Sequence, residues 1–340
     1  MDPVSTRVTT AAIWVGGSDI DLRPVAIPEL ADGETLVRVR LATVCGSDLH
    51  TVTGRRSGAC PSILGHEAVG DVVAVGAGSP AAVGQRVIWS VTVACGDCAR
   101  CRSGRTAKCS SVRKVGHESF QGDWPLSGAY AEHIVLPRGT TTAVVPQGLP
   151  DSVAAPAACA TATVMATIEA AGDLRGRRVL VAGAGMLGLT AVAACDEAGA
   201  DVQAVDIDPE RLVMAPRFGA MTTDTDPVDI AIDYTGSVTA IDAALARLDV
   251  GGVLVLAGSV TPGPPLPVDP ETLVRRWLTI TGVHNYEPRH LHRAVDFLDR
   301  TVRRYPWDEV VAEPVPLAQL GAALRRPPTG ILRTAVAPRL

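Results

Sequence analysis

The chain has 340 residues, 47% of them hydrophobic, with 31 Lys and Arg against 36 Asp and Glu for a formal net charge of −5. That length suits two domains better than one core. No apolar run approaches the roughly 20 residues of a bilayer span, and no block of like charge suggests a nucleic-acid partner. The N-terminal MDPVSTRVTTAAIWVGG lacks the basic-then-apolar order of an export signal, so a cytoplasmic location is expected.

Up to about residue 148 the segments TLVRVRLATV, AVGDVVAVG, GQRVIWSVTV and AYAEHIVLP read as short strands between Gly and Pro turns. The pattern predicts a distorted antiparallel barrel and not a βαβ rhythm. Inside it, ACGDCARCRSGRTAKC spaces Cys95, Cys98, Cys101 and Cys109 as C-x2-C-x2-C-x7-C. Four thiolates this close can close a tetrahedral shell around one Zn2+ and leave no position for chemistry. A second, incomplete set flanks it: Cys45, then His66 and Glu67 in GHE, then Cys159. Two soft ligands, a histidine and a vacancy are what a catalytic zinc needs. Cys159 also has a plain reading as a buried cysteine in an apolar stretch. Eight cysteines without an export signal favour reduced thiols and metal over disulfides, and Cys60 and Cys195 are read as small buried hydrophobes.

From about residue 151 the texture changes. SVAAPAACATATVMATIEAAG is helix-compatible, and RRVLVAG, AGMLGLTAVAACDEAGA and DVQAVDID read as strand, turn-plus-helix and strand. Gly183, Gly185 and Gly188 form G-x-G-x-x-G at that turn, with Met186 and Leu187 opening the helix. The first glycine permits the turn, the second admits a pyrophosphate, and the third packs helix on strand. Asp206, 23 residues after Gly183, ends the next strand, where a carboxylate grips ribose hydroxyls and repels a 2′-phosphate. NAD is therefore expected over NADP. Asp208 reads as a helix N-cap, and Arg211 is the residue that could instead serve a phosphate. VDIAIDYTG, TAIDAALARLD and GGVLVLAG continue the alternation, which predicts an α/β, doubly wound parallel sheet. After the Pro-rich TPGPPLPVDP and the strand-like LTITGVHNY, a helix around RHLHRAVDFLDRTV and a strand in TGILRTAVA return to the first domain. The expected division is 1–160 with 284–340 for the first domain and 161–283 for the second.

Taken together, the segments VCGSDLH, LGHEAVG, the cysteine quartet and VLVAGAGMLG resemble the zinc-containing medium-chain alcohol dehydrogenases over nearly the whole chain. The resemblance implies a GroES-like barrel domain beside a Rossmann domain, and an oxidoreductase with two zinc ions per chain, one structural and one catalytic. It implies Cys45, His66 and Cys159 as catalytic zinc ligands, with Glu67 able to approach the metal and Asp48 orienting His66. Ser47 and His50 match a proton relay that runs through the cofactor ribose, and Thr163 matches a threonine near the nicotinamide. Arg55 and Arg56 fall in a segment that lines the substrate entrance, and His284 falls near nicotinamide and substrate. Paired arginines suit an anionic substrate. TGRR with GVHNYEP is similar to the phosphonate-associated subgroup. A neutral polyol, cyclitol or amino alcohol is the alternative substrate. A non-catalytic dinucleotide-binding protein is the remote alternative. A homodimer or homotetramer is expected, with a small-molecule partner. The remaining histidines, His117, His133, His290 and His292, are read as surface or hydrogen-bonded residues.

Overall fold

The computed structural model describes residues 7–221 and 225–340. Of the segment read for an export signal, residues 1–6 lie outside the described residues, and Val8–Gly16 is a strand. No single described helix is long and apolar enough to cross a membrane.

The chain divides into two compact units. One takes the chain up to Cys159, Glu287–Asp299 and Trp307–Leu340; the other takes Ala160–Tyr286 and Arg300–Pro306. By packing, the chain passes back to the first unit at Glu287, close to residue 284 of the expected division, and Arg300–Pro306 groups with the second unit. Side chains explain the latter assignment. Arg300 pairs with Glu197 at 2.9 Å, and the Tyr305 hydroxyl donates to Asp196 at 2.6 Å.

In the first unit, Thr35–Thr43 is the central strand. It is antiparallel to Glu67–Val75, His133–Leu136 and Arg333–Ala337. A parallel pairing of Val311–Pro316 with Arg333–Ala337 makes the sheet mixed. A smaller sheet places Val8–Gly16 between Asp19–Ala26 and Ser62–Ile63. Trp14, Trp89, Trp124, Tyr130, Ile13 and Leu126 fill the core between these strands. Register matters most at one end of the sheet. Thr43 faces Glu67 on one side and Ala335 on the other, and Val44 N–H donates to Thr334 C=O at 3.0 Å. Continuing that antiparallel register sets Arg333 opposite Cys45.

The stretch read as one helix-compatible segment is broken. It forms a helix at Asp151–Ala154, a 3-10 turn at Ala155–Ala158 and a helix at Ala160–Ala171, bent by 56°. Pro156 has no N–H to continue an α-helical ladder. Cys159 sits at the break with φ −126° and ψ −64°, outside either helix.

The second unit is built on five parallel strands in the order Asp201–Val205, Arg178–Ala182, Val228–Asp233, Leu248–Leu256 and Thr279–Gly282. Chain order reverses at Arg178–Ala182, and ligands of such sheets bind outside the carboxyl ends of the strands at that point. Leu180, Ala231, Leu254, Ile241 and Ala244 form the core beneath the Val238–Arg247 helix. The glycine turn follows directly. A Cβ added at Gly188 would stand 1.6 Å from the Gly183 carbonyl oxygen, so helix and turn meet backbone to backbone. Gly188→Ala should therefore lower both the melting temperature and the affinity for dinucleotide. Calorimetry of folding and of NAD+ binding checks this, and an alanine variant with wild-type values for both would contradict it.

Candidate active site

Cys45 lies two residues past the central strand and caps the Gly46–Val52 helix, with extended backbone at φ −79° and ψ 155°. Its N–H donates to Asp48 Oδ2 at 3.0 Å, and the Tyr130 hydroxyl donates to the same oxygen at 3.1 Å. Asp48 Oδ1 is left facing His66 Nδ1 at 3.5 Å, and neither buried atom has another partner. This orientation holds the proton on Nδ1 and leaves Nε2 free for a ligand bond, the usual way a carboxylate fixes a metal-binding imidazole. Ser47 Oγ lies 3.3 Å from Nε2. The ligand atoms of Cys45, His66, Glu67 and Cys159 all fall within 4.8 Å of one another. They form a mixed sulfur, nitrogen and oxygen set that suits zinc.

Two buried residues that sequence reasoning did not single out complete this cluster. Arg333 Nε and Nη2 donate to the two oxygens of Glu67 at 2.8 and 3.1 Å, and Thr43 Oγ1 donates to Oε2 at 2.8 Å. Arg333 Nη2 also lies 3.9 Å from Cys45 Sγ. Glu67, expected as an approaching ligand, is thus engaged by a guanidinium beside the metal cluster. Burial pushes its carboxyl up to about 7 even against the pull of Arg333. The Cys159 thiol beside it, then Arg333 and His66, hold the Cys45 thiol well below its ordinary value; Cys159 is raised by the same contact and by burial. Without a cation only one of the two sulfurs can ionise easily. A lone arginine inside the otherwise apolar TGILRTAVA was the available signal for Arg333. His117, read as a surface or hydrogen-bonded residue, is half-buried with Nε2 3.4 Å from Arg56 Nη1; its ring also packs against His66 with centroids 5.2 Å apart, and burial pushes it down to about 2.

The cysteine quartet has the other character. Neighbouring Sγ atoms lie 3.4, 3.5 and 4.0 Å apart, close to the roughly 3.8 Å edge of a tetrahedron with 2.3 Å Zn–S bonds. Backbone N–H groups of Cys95 and Cys101 donate to Cys109 and Cys98. Cys98 is held down to about 5 by the Ser110 and Cys101 amides, whereas burial and the neighbouring sulfurs push Cys101 up to about 12. A divalent cation removes that conflict. Cys60 corrects an expectation: it is exposed and not buried, whereas Cys195 is buried.

In the second unit, Gly185 caps the Met186–Glu197 helix with no side-chain hydrogen bond, and a Cβ there would meet nothing within 4 Å. Met186 is buried and Leu187 half-buried at this helix start. No side chain caps the helix start, so a phosphate can approach its first backbone amides. Asp206 Oδ2 accepts from Ala184 N–H at 2.7 Å and Oδ1 from Asp208 N–H at 2.9 Å, which fixes the carboxylate at the strand end. Asp208 caps the next short helix through Glu210 N–H. Arg211 lies 3.9 Å from Asp206 and 3.6 Å from Asp208. Thr163 is half-buried in the helix after Cys159. His284 is exposed just past the strand Thr279–Gly282. His50 is half-buried three residues after Ser47 on one helix, and its carbonyl accepts from Arg56 N–H at 3.0 Å. Arg55 is exposed, but Arg56 is half-buried with Nη1 3.4 Å from His117 Nε2.

Residues 31–147 match the alcohol dehydrogenase GroES-like domain, and residues 187–300 match the zinc-binding dehydrogenase domain. The chain is 30% identical to the L-threonine 3-dehydrogenase of Shewanella frigidimarina over 285 residues, 76% of this chain and 79% of that one. It belongs to the zinc-containing medium-chain alcohol dehydrogenases. Among solved structures, an alcohol dehydrogenase from Thermotoga maritima superposes with a TM-score of 0.89 at 25% identity, covering 97% of this chain and 99% of that one. A zinc-binding dehydrogenase from Sinorhizobium meliloti bound to NADP gives 0.87 at 25% identity, covering 98% and 100%. The family makes this chain a zinc-dependent enzyme acting on alcohols.

Within such a dehydrogenase the Arg333–Glu67 pair is a buried ion pair whose halves need each other. Removing one partner of a buried pair typically costs about 3–5 kcal/mol, whereas replacing both with neutral groups can be almost neutral. Arg333→Met should therefore destabilise the first unit strongly, and adding Glu67→Gln should recover most of the loss. Denaturant unfolding of the two single variants and the double variant checks this, and strictly additive losses would contradict it.

Proposed function

We propose that this dehydrogenase oxidises an alcohol bearing an anionic group with NAD+, at a zinc held by Cys45, His66 and Cys159, while Cys95, Cys98, Cys101 and Cys109 hold a structural zinc. The carrying observation is the Asp48-oriented His66 beside two cysteines, one thiol low and one high, in a single buried cluster. Bound zinc supplies a Lewis acid for the alcohol oxygen, and NAD+ supplies the hydride acceptor. The chain's own residues do the rest. Ser47 Oγ, beside His66 Nε2, would accept the hydroxyl proton as it passes its own on, and His50 on the same helix would take the proton towards solvent. Thr163 and His284 are assigned to the nicotinamide end of this reading. Arg56 holds the anionic arm, whereas Arg55 faces water in this reading.

The NADP bound to the Sinorhizobium meliloti relative raises the alternative cofactor. Here the Asp206 carboxylate would oppose a 2′-phosphate, and Arg211 is already engaged by Asp206 and Asp208. An amino-alcohol substrate is favoured by the name of the Shewanella frigidimarina relative. Against it, the Arg56 guanidinium beside His117 is cationic and would repel an ammonium. The strand Thr279–Gly282, which ends the parallel sheet among the described residues, follows the exposed Val274 and Trp277 and supports assembly as a homodimer or homotetramer. The reduced cysteine clusters fit a cytoplasmic setting.

Initial rates of cofactor reduction across phosphonate-bearing, polyol and amino alcohols test this reading. NAD+ should outperform NADP+, and Asp206→Ala should narrow the gap by removing ribose hydrogen bonds and charge repulsion together. A wild type that prefers NADP+ would overturn the cofactor assignment and turn attention to Arg211.

A further inference from the structure

The segment GVHNYEP, which holds His284, also carries Glu287. The Glu287 backbone N–H donates to His290 Nδ1 at 3.0 Å, and the His290 N–H donates to the Glu287 carbonyl at 2.9 Å. His290 is buried, so this reciprocal pair fixes Glu287 at the start of the Pro288–Thr301 helix. Its carboxylate reaches the lobe of the cysteine quartet, 181 residues earlier in the chain and within the same unit. Glu287 Oε2 accepts from the Thr106 N–H at 2.8 Å and from the Thr106 hydroxyl, and Oε1 accepts from the Ala107 N–H at 3.2 Å.

Those donors belong to the 3-10 turn Thr106–Lys108, which runs directly into Cys109. The other three sulfurs come from one tight stretch. Cys98 caps the Ala99–Arg102 helix between them and accepts from the Cys101 N–H. Cys109 arrives only after a loop whose residues 102–105 are exposed. From inside the lobe, the Arg100 guanidinium donates to the Lys108 carbonyl at 3.0 Å, and the Cys109 N–H donates to the Thr106 carbonyl at 3.0 Å. From outside, Glu287 holds the same turn through three donors. An ionised carboxylate only accepts, so it suits converging donors, and such charge-assisted bonds are the stronger kind. With the turn fixed, Cys109 Sγ stays 3.4 Å from Cys95 Sγ. A free loop would have to be ordered anew each time the shell closed.

We infer that Glu287 is a positioning residue of the structural zinc site, holding the Cys109 arm against the other three sulfurs and so slowing loss of the ion. This rests on the quartet holding zinc and not on the substrate or cofactor proposed above. The ion leaves only after a sulfur has let go, and Cys109 has the longest loop behind it. Anchoring Thr106 and Ala107 opposes that first step. Glu287 acts through the backbone of the turn and adds no ligand to the four cysteines.

The test is the rate at which zinc passes from the zinc-loaded full-length protein to an excess of the chelator 4-(2-pyridylazo)resorcinol. It compares the wild type with Glu287→Ala, Glu287→Gln and Thr106→Val, each made also in a Cys45→Ser background so that the quartet's ion is read by itself. Glu287→Ala should speed release of that ion by about tenfold or more, as expected for loss of charge-assisted hydrogen bonds. Glu287→Gln should fall between it and the wild type, because its one carbonyl oxygen can serve Thr106 while its amide nitrogen faces the Ala107 N–H. Thr106→Val, which removes one donor of the three, should give a smaller rise. The ion of the Cys45 cluster should leave every variant at the wild-type rate. A contact that merely stiffens the first unit would speed both ions alike, and that result would overturn the proposal. So would wild-type release from Glu287→Gln and Thr106→Val, which decide the matter if Glu287→Ala does not fold, or a wild-type quartet that holds no zinc. The expected order of release in a protein that reduces no NAD+ with an anionic alcohol would uphold the role of Glu287 and refute the substrate and cofactor reading alone.

Discussion

The buried contact of Arg333 with Glu67, with Arg333 Nη2 also 3.9 Å from Cys45 Sγ, ties the candidate metal cluster to the sheet of the first unit. Glu67 belongs to a strand near the start of the chain and Arg333 to the last strand, 266 residues later. Both strands flank the central strand Thr35–Thr43, which leads directly to Cys45. A carboxylate and a thiolate so close together in a dry environment repel each other strongly, and each is costly to bury alone. The guanidinium offsets that cost before any metal arrives. The site is therefore complete only when the chain's last strand has returned to the sheet, which couples folding of the first unit to the competence of the cluster.

The same logic of placing charge before ligand recurs around it. Asp48, itself held by Tyr130 and by the Cys45 amide, fixes one face of His66, and neutral His117 covers another. Breaking the 151–171 helix at Pro156 frees Cys159 to face Cys45 from a position no regular helix would give it. In the second unit no side chain caps the helix that opens after the glycine turn, while the Asp206 carboxylate is locked by the Ala184 and Asp208 N–H groups. One unit thus prepares cationic and ligand-bearing positions, and the other prepares an anion-binding backbone with a carboxylate at its rim.

Much of this was legible in the sequence because its parts are local. The cysteine spacing, GHE and G-x-G-x-x-G each lie within a few residues, so their chemistry survives without knowledge of the fold. The parallel strands were equally plain, since each is an apolar run bounded by turns. What stayed hidden was non-local or irregular. Arg333 becomes informative only once register sets it opposite Cys45. Strands such as Asp19–Ala26, mostly exposed with one buried residue near its end, carry little alternation to read. The grouping of Arg300–Pro306 with the second unit accompanies side-chain pairs with Glu197 and Asp196 that no pattern announces.

The central claim is that the two metal-ligand clusters are distinct, one structural and one reactive. It is tested most directly by zinc content from emission spectrometry, read beside NADH formation, for the wild type, Cys45→Ser and Cys98→Ser. Two zinc ions per chain are predicted for the wild type, one for each cluster. Cys45→Ser should keep the quartet's ion and its fold yet lose turnover, and Cys98→Ser should lose the quartet's ion together with stability. A Cys45→Ser protein that lacks the second ion but retains full activity would contradict the account.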